Sequence, residues 1–169
     1  MRILVVHSCQ INAFPPVRNL IEILLRNNHN ITVITRDDSG VYLKENPNLK
    51  YIVLPEGATG KITAGLAYIK KLKILRETVE KEMENCDLLW TTTDSTVRDL
   101  GKLVFKYKHV MQMMELIEDI PLIPGLPYIQ SNLKQYAKKA YKVVVPEYNR
   151  AHIQKTWWDL EKVPSVLPN

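Results

Sequence analysis

The chain has 169 residues, 46% hydrophobic and 24% charged, which suffices to bury roughly 70% of the unfolded surface around one core and matches one domain better than two. No apolar run approaches the ~20 residues of a membrane-spanning helix, and the opening stretch from Ile3 to Val6 is too short for a signal-peptide core. The balance of 23 basic and 18 acidic residues is +5, a mild excess compatible with anionic partners, while six glycines beside ten prolines argue against a glycine-rich phosphate loop.

Residues Arg2 to His7 form a continuous apolar, β-branched run, the pattern of a strand buried on both faces in a parallel sheet. Pro15 and Pro16 open a helix with Val17, Leu20, Ile21, Leu24 and Leu25 on one face and a Glu22–Arg26 pair on the other. Asn28 to Asn30 can close it, since asparagine tolerates the left-handed turn, and Ile31 to Thr35 follows as a second strand. Lys50 to Leu54 reads as a third strand. A long helix near Thr63 to Asn85 then carries the stripe Leu66, Ile69, Leu72, Leu75, Val79 and Met83. Asp87 to Thr91 is a fourth strand, and Asp94 or Ser95 caps a short helix with Val97, Leu100 and Val104. His109 to Glu115 is a fifth strand, followed by a proline-rich loop from Ile120 to Pro127 and a helix with Ile129, Leu133, Tyr136, Ala137 and Ala140 on one face. Lys142 to Val145 is a sixth strand. The last helix places Ile153, Thr156, Trp157 and Leu160 inward and leaves Trp158 more exposed, before an extended end from Val163 to Asn169.

This alternation predicts an α/β fold: a doubly wound, mainly parallel, Rossmann-like sheet of six or seven strands with helices on both faces, spanning 1–169 as a single domain. Ligands of such sheets bind outside the carboxyl ends of the strands. The loop from His7 to Phe14 has no glycine, so it matches no dinucleotide fingerprint, and no Walker lysine motif occurs. There is no Gly-x-Ser-x-Gly elbow, and His7 with Cys9 lacks the Cys-x-x-Cys partner of a zinc site. Two cysteines without a disulfide framework fit a reduced, cytoplasmic compartment.

Three stretches carry a resemblance. Met1 to His7 is similar to the first strand of the GT-B glycosyltransferases, close to the large retaining family that uses nucleotide-sugar donors. Asn28-His29-Asn30-Ile31-Thr32-Val33 resembles that family's Gly-His-x-Val turn, with asparagine for glycine. Val143 to His152, Leu160 and then Val166 to Asn169 resemble the strand, helix and Pro-Asn hinge that lead into the second domain. The chain departs from the pattern at Cys9 to Asn12, where a glycine-rich loop is common, and at Glu147, where serine is usual. The resemblance implies the N-terminal, acceptor-side domain of a glycosyltransferase. The donor would bind mainly to a C-terminal domain, in the same chain or a separate subunit. Transfer would need no bound metal or other cofactor, and this chain alone would be inactive, with no complete catalytic set.

On that resemblance the acceptor or cleft-binding candidates are His7, Asn12, Phe14, Thr93, Asp94, Glu115, Asp119 and Glu147. His7 could touch an acceptor hydroxyl or donor phosphate, or be a strand-end histidine satisfied by backbone. Asn12 and Phe14 could line a cleft or staple a loop. Asp94 could orient a sugar hydroxyl or cap a helix. Glu115 and Asp119 could bind hydroxyls or be solvated loop acids, and Glu147 would repel an anion at the helix it precedes. Basic faces at Lys70, Lys71, Lys73 and Arg76, and at Lys134, Lys138, Lys139 and Lys142, imply peripheral contact with an inner membrane surface, or ordinary solvated helix faces. On the same resemblance the acceptor would be a glycan, lipid-linked or small molecule, and no nucleic acid is expected. A free-standing flavodoxin-like nucleotide-binding or interaction module fits the same element order.

Overall fold

A computed structural model describes residues 1–11, 14–36, 45–55, 64–118 and 133–168. Within these, the elements run β1 (Arg2–Val6), α1 (Pro15–Arg26), β2 (Asn30–Thr35), β3 (Leu49–Val53), α2 (Ala64–Met83), β4 (Leu88–Thr91) and α3 (Asp94–Leu100). A 3-10 helix (Gly101–Lys106), β5 (His109–Gln112), α4 (Leu133–Lys139), β6 (Lys142–Val145), α5 (Tyr148–Trp158) and β7 (Ser165–Val166) complete the series. The seven strands form one sheet in the order β3-β2-β1-β4-β5-β6-β7, the expected doubly wound α/β arrangement with the reversal after β1. The chain divides into two compact units, Met1–Trp90 and Thr91–Asn169.

In the first unit β1 pairs in parallel with β2, from Arg2 opposite Asn30 to Val6 opposite Ile34, and β2 pairs in parallel with β3. Ile3, Leu4, Val5 and Val6 are all buried, as their unbroken apolar run requires of a strand covered on both faces. Pro15 starts α1, whose buried face is Val17, Leu20, Ile21 and Leu24, and Arg26 meets Glu22 at 3.3 Å outside. Asn28 stands at φ 58°, so asparagine supplies the left-handed residue that ends the helix. Arg2 clamps the start of β1 to the start of β4 through Asp87. Its backbone N–H and its Nη2 donate to the two carboxylate oxygens at 2.8 and 3.0 Å. In α2 the expected stripe is buried only at Leu75, Val79 and Met83, while Ile69 is exposed. The Leu66 side chain lies outside the described residues.

In the second unit β5, β6 and β7 pair in parallel, with Val110 opposite Lys142 and Val145 opposite Val166. Strand β5 is shorter than expected and ends at Gln112, so Glu115 stands beyond it. The cap of α3 is Thr93, not Asp94 or Ser95, because Thr93 has the extended backbone a cap needs and its hydroxyl accepts from Thr96 N–H. The core gathers Val97, Met111, Met113, Leu133, Ala137, Val143, Val145, Ala151 and Trp158.

Helix α5 corrects the tryptophan assignment. Trp158 is 1% exposed and Trp157 is 42% exposed, with Ile153 also outside. The buried stripe is Ala151, Gln154 and Trp158. Its middle member is polar and donates from Nε2 to Ile117 O at 3.2 Å, so the true inner face is disguised in a hydropathy pattern.

Candidate functional site

In the first unit the sheet reversal singles out the end of β1, where His7 follows Val6. His7 N–H donates to Ile34 O at 2.9 Å, extending the β1–β2 ladder by one residue. Its ring is fully buried and meets the Phe14 ring edge-on at 4.7 Å. Burial lowers the imidazole pKa to about 4, against a smaller opposing effect of a backbone hydrogen bond at Gln10. His7 is therefore neutral at physiological pH. Phe14 is half-buried and caps α1 by backbone: its N–H donates to Ile11 O and its carbonyl accepts from Val17 N–H. Asn12 lies outside the described residues.

The loop after β1 is held without glycine. Thr35 Oγ1 donates to Cys9 O at 3.0 Å, and Arg36 Nε donates to Ser8 O at 2.7 Å. Arg36 Nη1 also donates to Pro55 O at 3.4 Å, so one guanidinium spans the ends of β1 and β3. These partners are backbone carbonyls 19 and 28 residues away in sequence, which leaves no motif to read.

In the second unit Thr93 is the centre of a hydroxyl cluster, 2.9 Å from both Ser95 Oγ and Thr96 Oγ1. Asp94 opens α3 and pairs with Arg98 one turn on at 3.0 Å, which occupies its carboxylate. Glu147 precedes α5 with no side-chain capping bond and accepts from Arg150 Nε at 2.7 Å. Arg150 Nη1 donates to Met114 O at 2.7 Å and lies 3.7 Å from Glu115. Arg150 thus joins two candidates, Glu115 beyond β5 and Glu147 beyond β6, and offsets the negative charge expected of Glu147. The only sequence signal for it was the three-residue spacing from Glu147. Asp119 lies outside the described residues.

A second histidine is buried in this unit. His109 Nε2 shares a 2.8 Å hydrogen bond with the Thr91 hydroxyl, and burial lowers its pKa to about 4. Sequence reading assigned it no role beyond opening a strand.

No protein-family model and no curated protein matches the chain. Solved structures do. UGT89C1 from Arabidopsis thaliana aligns over 99% of this chain and 50% of its own, with a TM-score of 0.67 at 12% identity. The same protein is solved with UDP-L-rhamnose and with quercetin. MurG from Acinetobacter baumannii aligns over 99% of this chain and 45% of its own, with a TM-score of 0.58 at 10% identity. A glycosyltransferase from Rickettsia africae aligns over 98% and 41%, with a TM-score of 0.56 at 15% identity. The chain therefore spans about half the length of these proteins. At such identities the likeness is one of fold, the Rossmann-like α/β fold that the chain has in common with parts of these glycosyltransferases.

Proposed function

We propose that the chain is the N-terminal, acceptor-side part of a glycosyltransferase that moves a sugar from a nucleotide-sugar donor to a glycan, lipid-linked or small-molecule acceptor. The observation that carries this reading is the asymmetry of coverage: nearly all of this chain aligns with 41% to 50% of three glycosyltransferases. The donor-binding part is a second domain, in the same chain or a separate subunit, and the donor binds mainly there. That UGT89C1 is solved with a nucleotide sugar and with quercetin supports a donor and acceptor of these classes. No resident cofactor is part of the scheme. A cytoplasmic setting with peripheral membrane contact belongs to the same reading, and among the described residues no helix is long and apolar enough to cross a membrane.

The candidate acceptor contacts are His7 and Phe14 in the first unit and Thr93, Asp94, Glu115 and Glu147 in the second; Asn12 and Asp119 keep the standing they have from sequence. These candidates differ in what contact would require. The Glu115 side chain is 77% exposed and can accept from a hydroxyl as it stands. His7 can reach one only if its burial beneath Phe14 is relieved. As a neutral imidazole it would then offer one donor and one acceptor to an acceptor hydroxyl.

The test is release of UDP from UDP-glucose and other nucleotide sugars by the purified 169-residue chain. We expect none from the chain alone, and activity once a second α/β domain is supplied in cis or in trans. Turnover by the chain alone would overturn the reading. A large thermal shift with flavin or NAD would instead favour a free-standing nucleotide-binding module.

A further inference from the structure

Beyond β5 and β6 the second unit holds one arginine between two carboxylates, and hydrogen bonds leave part of all three unspent. The two strands are parallel neighbours, and Met113 N–H donates to Val144 O at 2.8 Å, so their outgoing chains leave the sheet side by side. Glu115 stands on one and Glu147 on the other. Arg150 Nε donates to Glu147 Oε1 at 2.7 Å, and its Nη1 donates to Met114 O at 2.7 Å. Glu115 lies 3.7 Å from Nη1, a charge contact longer than a hydrogen bond. Arg150 Nη2 and both Glu115 oxygens are therefore uncommitted to hydrogen bonds among the described residues.

Helix α5 fastens the outgoing stretch at two points. One turn beyond Arg150, the fully buried Gln154 donates from Nε2 to Ile117 O at 3.2 Å, so residues 150 and 154 each hold a carbonyl of the 114–117 stretch. Gln154 Oε1, the other arm of the same amide, is buried and has no hydrogen-bond partner. A buried acceptor left this way costs free energy until a donor reaches it. Arg150 is half-buried while Glu115 and Glu147 are exposed, so a fixed donor sits between two acceptors that face solvent.

We propose that this arrangement is a subsite for a saccharide and binds adjacent hydroxyls of a sugar ring. Each hydroxyl both donates and accepts, so neighbouring hydroxyls are best met by donor and acceptor partners side by side. Carboxylate, guanidinium and carboxylate supply acceptor, donor and acceptor in that order. The charges weigh against other ligands. A cation would meet the guanidinium between the carboxylates, and an anion would meet the carboxylates on either side of it. A neutral polyol is opposed by neither, and a molecule with one hydroxyl would use only one arm. Gln154 Oε1 calls for an O–H donor at the same stretch, which a sugar hydroxyl supplies directly or through a water. The inference rests on the proposed function, narrows its acceptor to a glycan or glycoside, and adds Arg150 to the acceptor contacts.

The test is an NMR titration of the full 169-residue chain with methyl α-glucoside, methyl α-mannoside, methyl β-galactoside and N-acetylglucosamine. At least one of these, at millimolar concentration, should move the amide signals of Glu115 to Ile117 and the Nε–H signal of Arg150. Phenol and inorganic phosphate should move them less. Arg150→Lys keeps the charge but loses the forked donors, so it should weaken binding about tenfold or more, the scale of one charge-assisted hydrogen bond. Glu115→Gln, at an exposed position, should weaken it severalfold with an unchanged circular dichroism spectrum, and it carries the test if Arg150→Lys disturbs the fold. His152→Gln, on the exposed side of the same helix, should bind as the parent does. No shift with any of these saccharides, undiminished binding by Glu115→Gln, or stronger shifts with phenol or phosphate would each overturn the proposal. Sugar transfer without saccharide binding here would remove this inference and leave the proposed function standing. Saccharide binding without transfer, once a second domain is supplied, would do the reverse.

Discussion

Each unit uses one arginine to tie the loops that follow its strands, and the two arginines work through different chemistry. Arg36 in the first unit donates to the carbonyls of Ser8 and Pro55. Arg150 in the second also donates to a carbonyl, that of Met114, but it meets the carboxylates of Glu147 and Glu115 as well. A bond to a carbonyl needs no particular residue at the far end and is little affected by salt. An exposed ion pair needs both partners and is screened. In these bonds Arg36 reads backbone geometry, whereas Arg150 reads side-chain charge as well.

Within the second unit, the two faces of α5 offer the largest effect. Trp158→Ala removes a fully buried ring from the core of the second unit and should cost about 3–5 kcal/mol in chemical denaturation. Trp157→Ala, on the exposed side, should cost under about 1 kcal/mol. A reversed ranking would mean that α5 is turned the other way.

Acid should affect both units by the same route, since each holds one buried histidine. His7 and His109 have folded pKa values of about 4, below the unfolded value near 6.5, so the unfolded chain binds more protons in between. Their contribution to stability is complete above about pH 6.5 and is lost as pH falls towards 4. The ceiling is roughly 3 kcal/mol for each ring. NMR titration should find both imidazoles neutral at pH 6, and a midpoint near 6.5 for either would separate the units on this point.

The smallest effect is the sharpest test of the two arginines. Arg36→Ala should cost about 2 kcal/mol, the scale of charge-assisted bonds to partly buried carbonyls, and that cost should persist in about 1 M salt. Arg150→Ala should cost about 1 kcal/mol, with the share due to Glu115 and Glu147 fading in the same salt. Equal salt dependence would erase the distinction.

Much of the fold was legible because strands buried on both faces write themselves as unbroken apolar runs, as Ile3 to Val6 and Val143 to Val145 do. Asn28 was legible too, since few residues tolerate a positive φ. The inner face of α5 was not, because Gln154 interrupts the apolar pattern there and the alternative stripe through Ile153 and Trp157 has equally helical spacing. At the candidate site, sequence named His7 and Phe14 but gave no sign that their rings touch. It located Glu115 and Glu147 without the cation that joins them, for Arg150 bonds to Met114 36 residues earlier through a carbonyl that any residue would present. Hydropathy records where a side chain prefers to be, and it carries no trace of which distant backbone oxygen a guanidinium will meet.

The glycine-free loop after β1 has an evolutionary consequence. Its fastenings include the carbonyls of residues 8, 9 and 55, which every amino acid possesses, and the side chains that donate to them are those of Thr35 and Arg36. These bonds ask nothing of the side chains at the three receiving positions, as long as the two donors stay. A loop fastened this way can change at its receiving positions with these bonds still made.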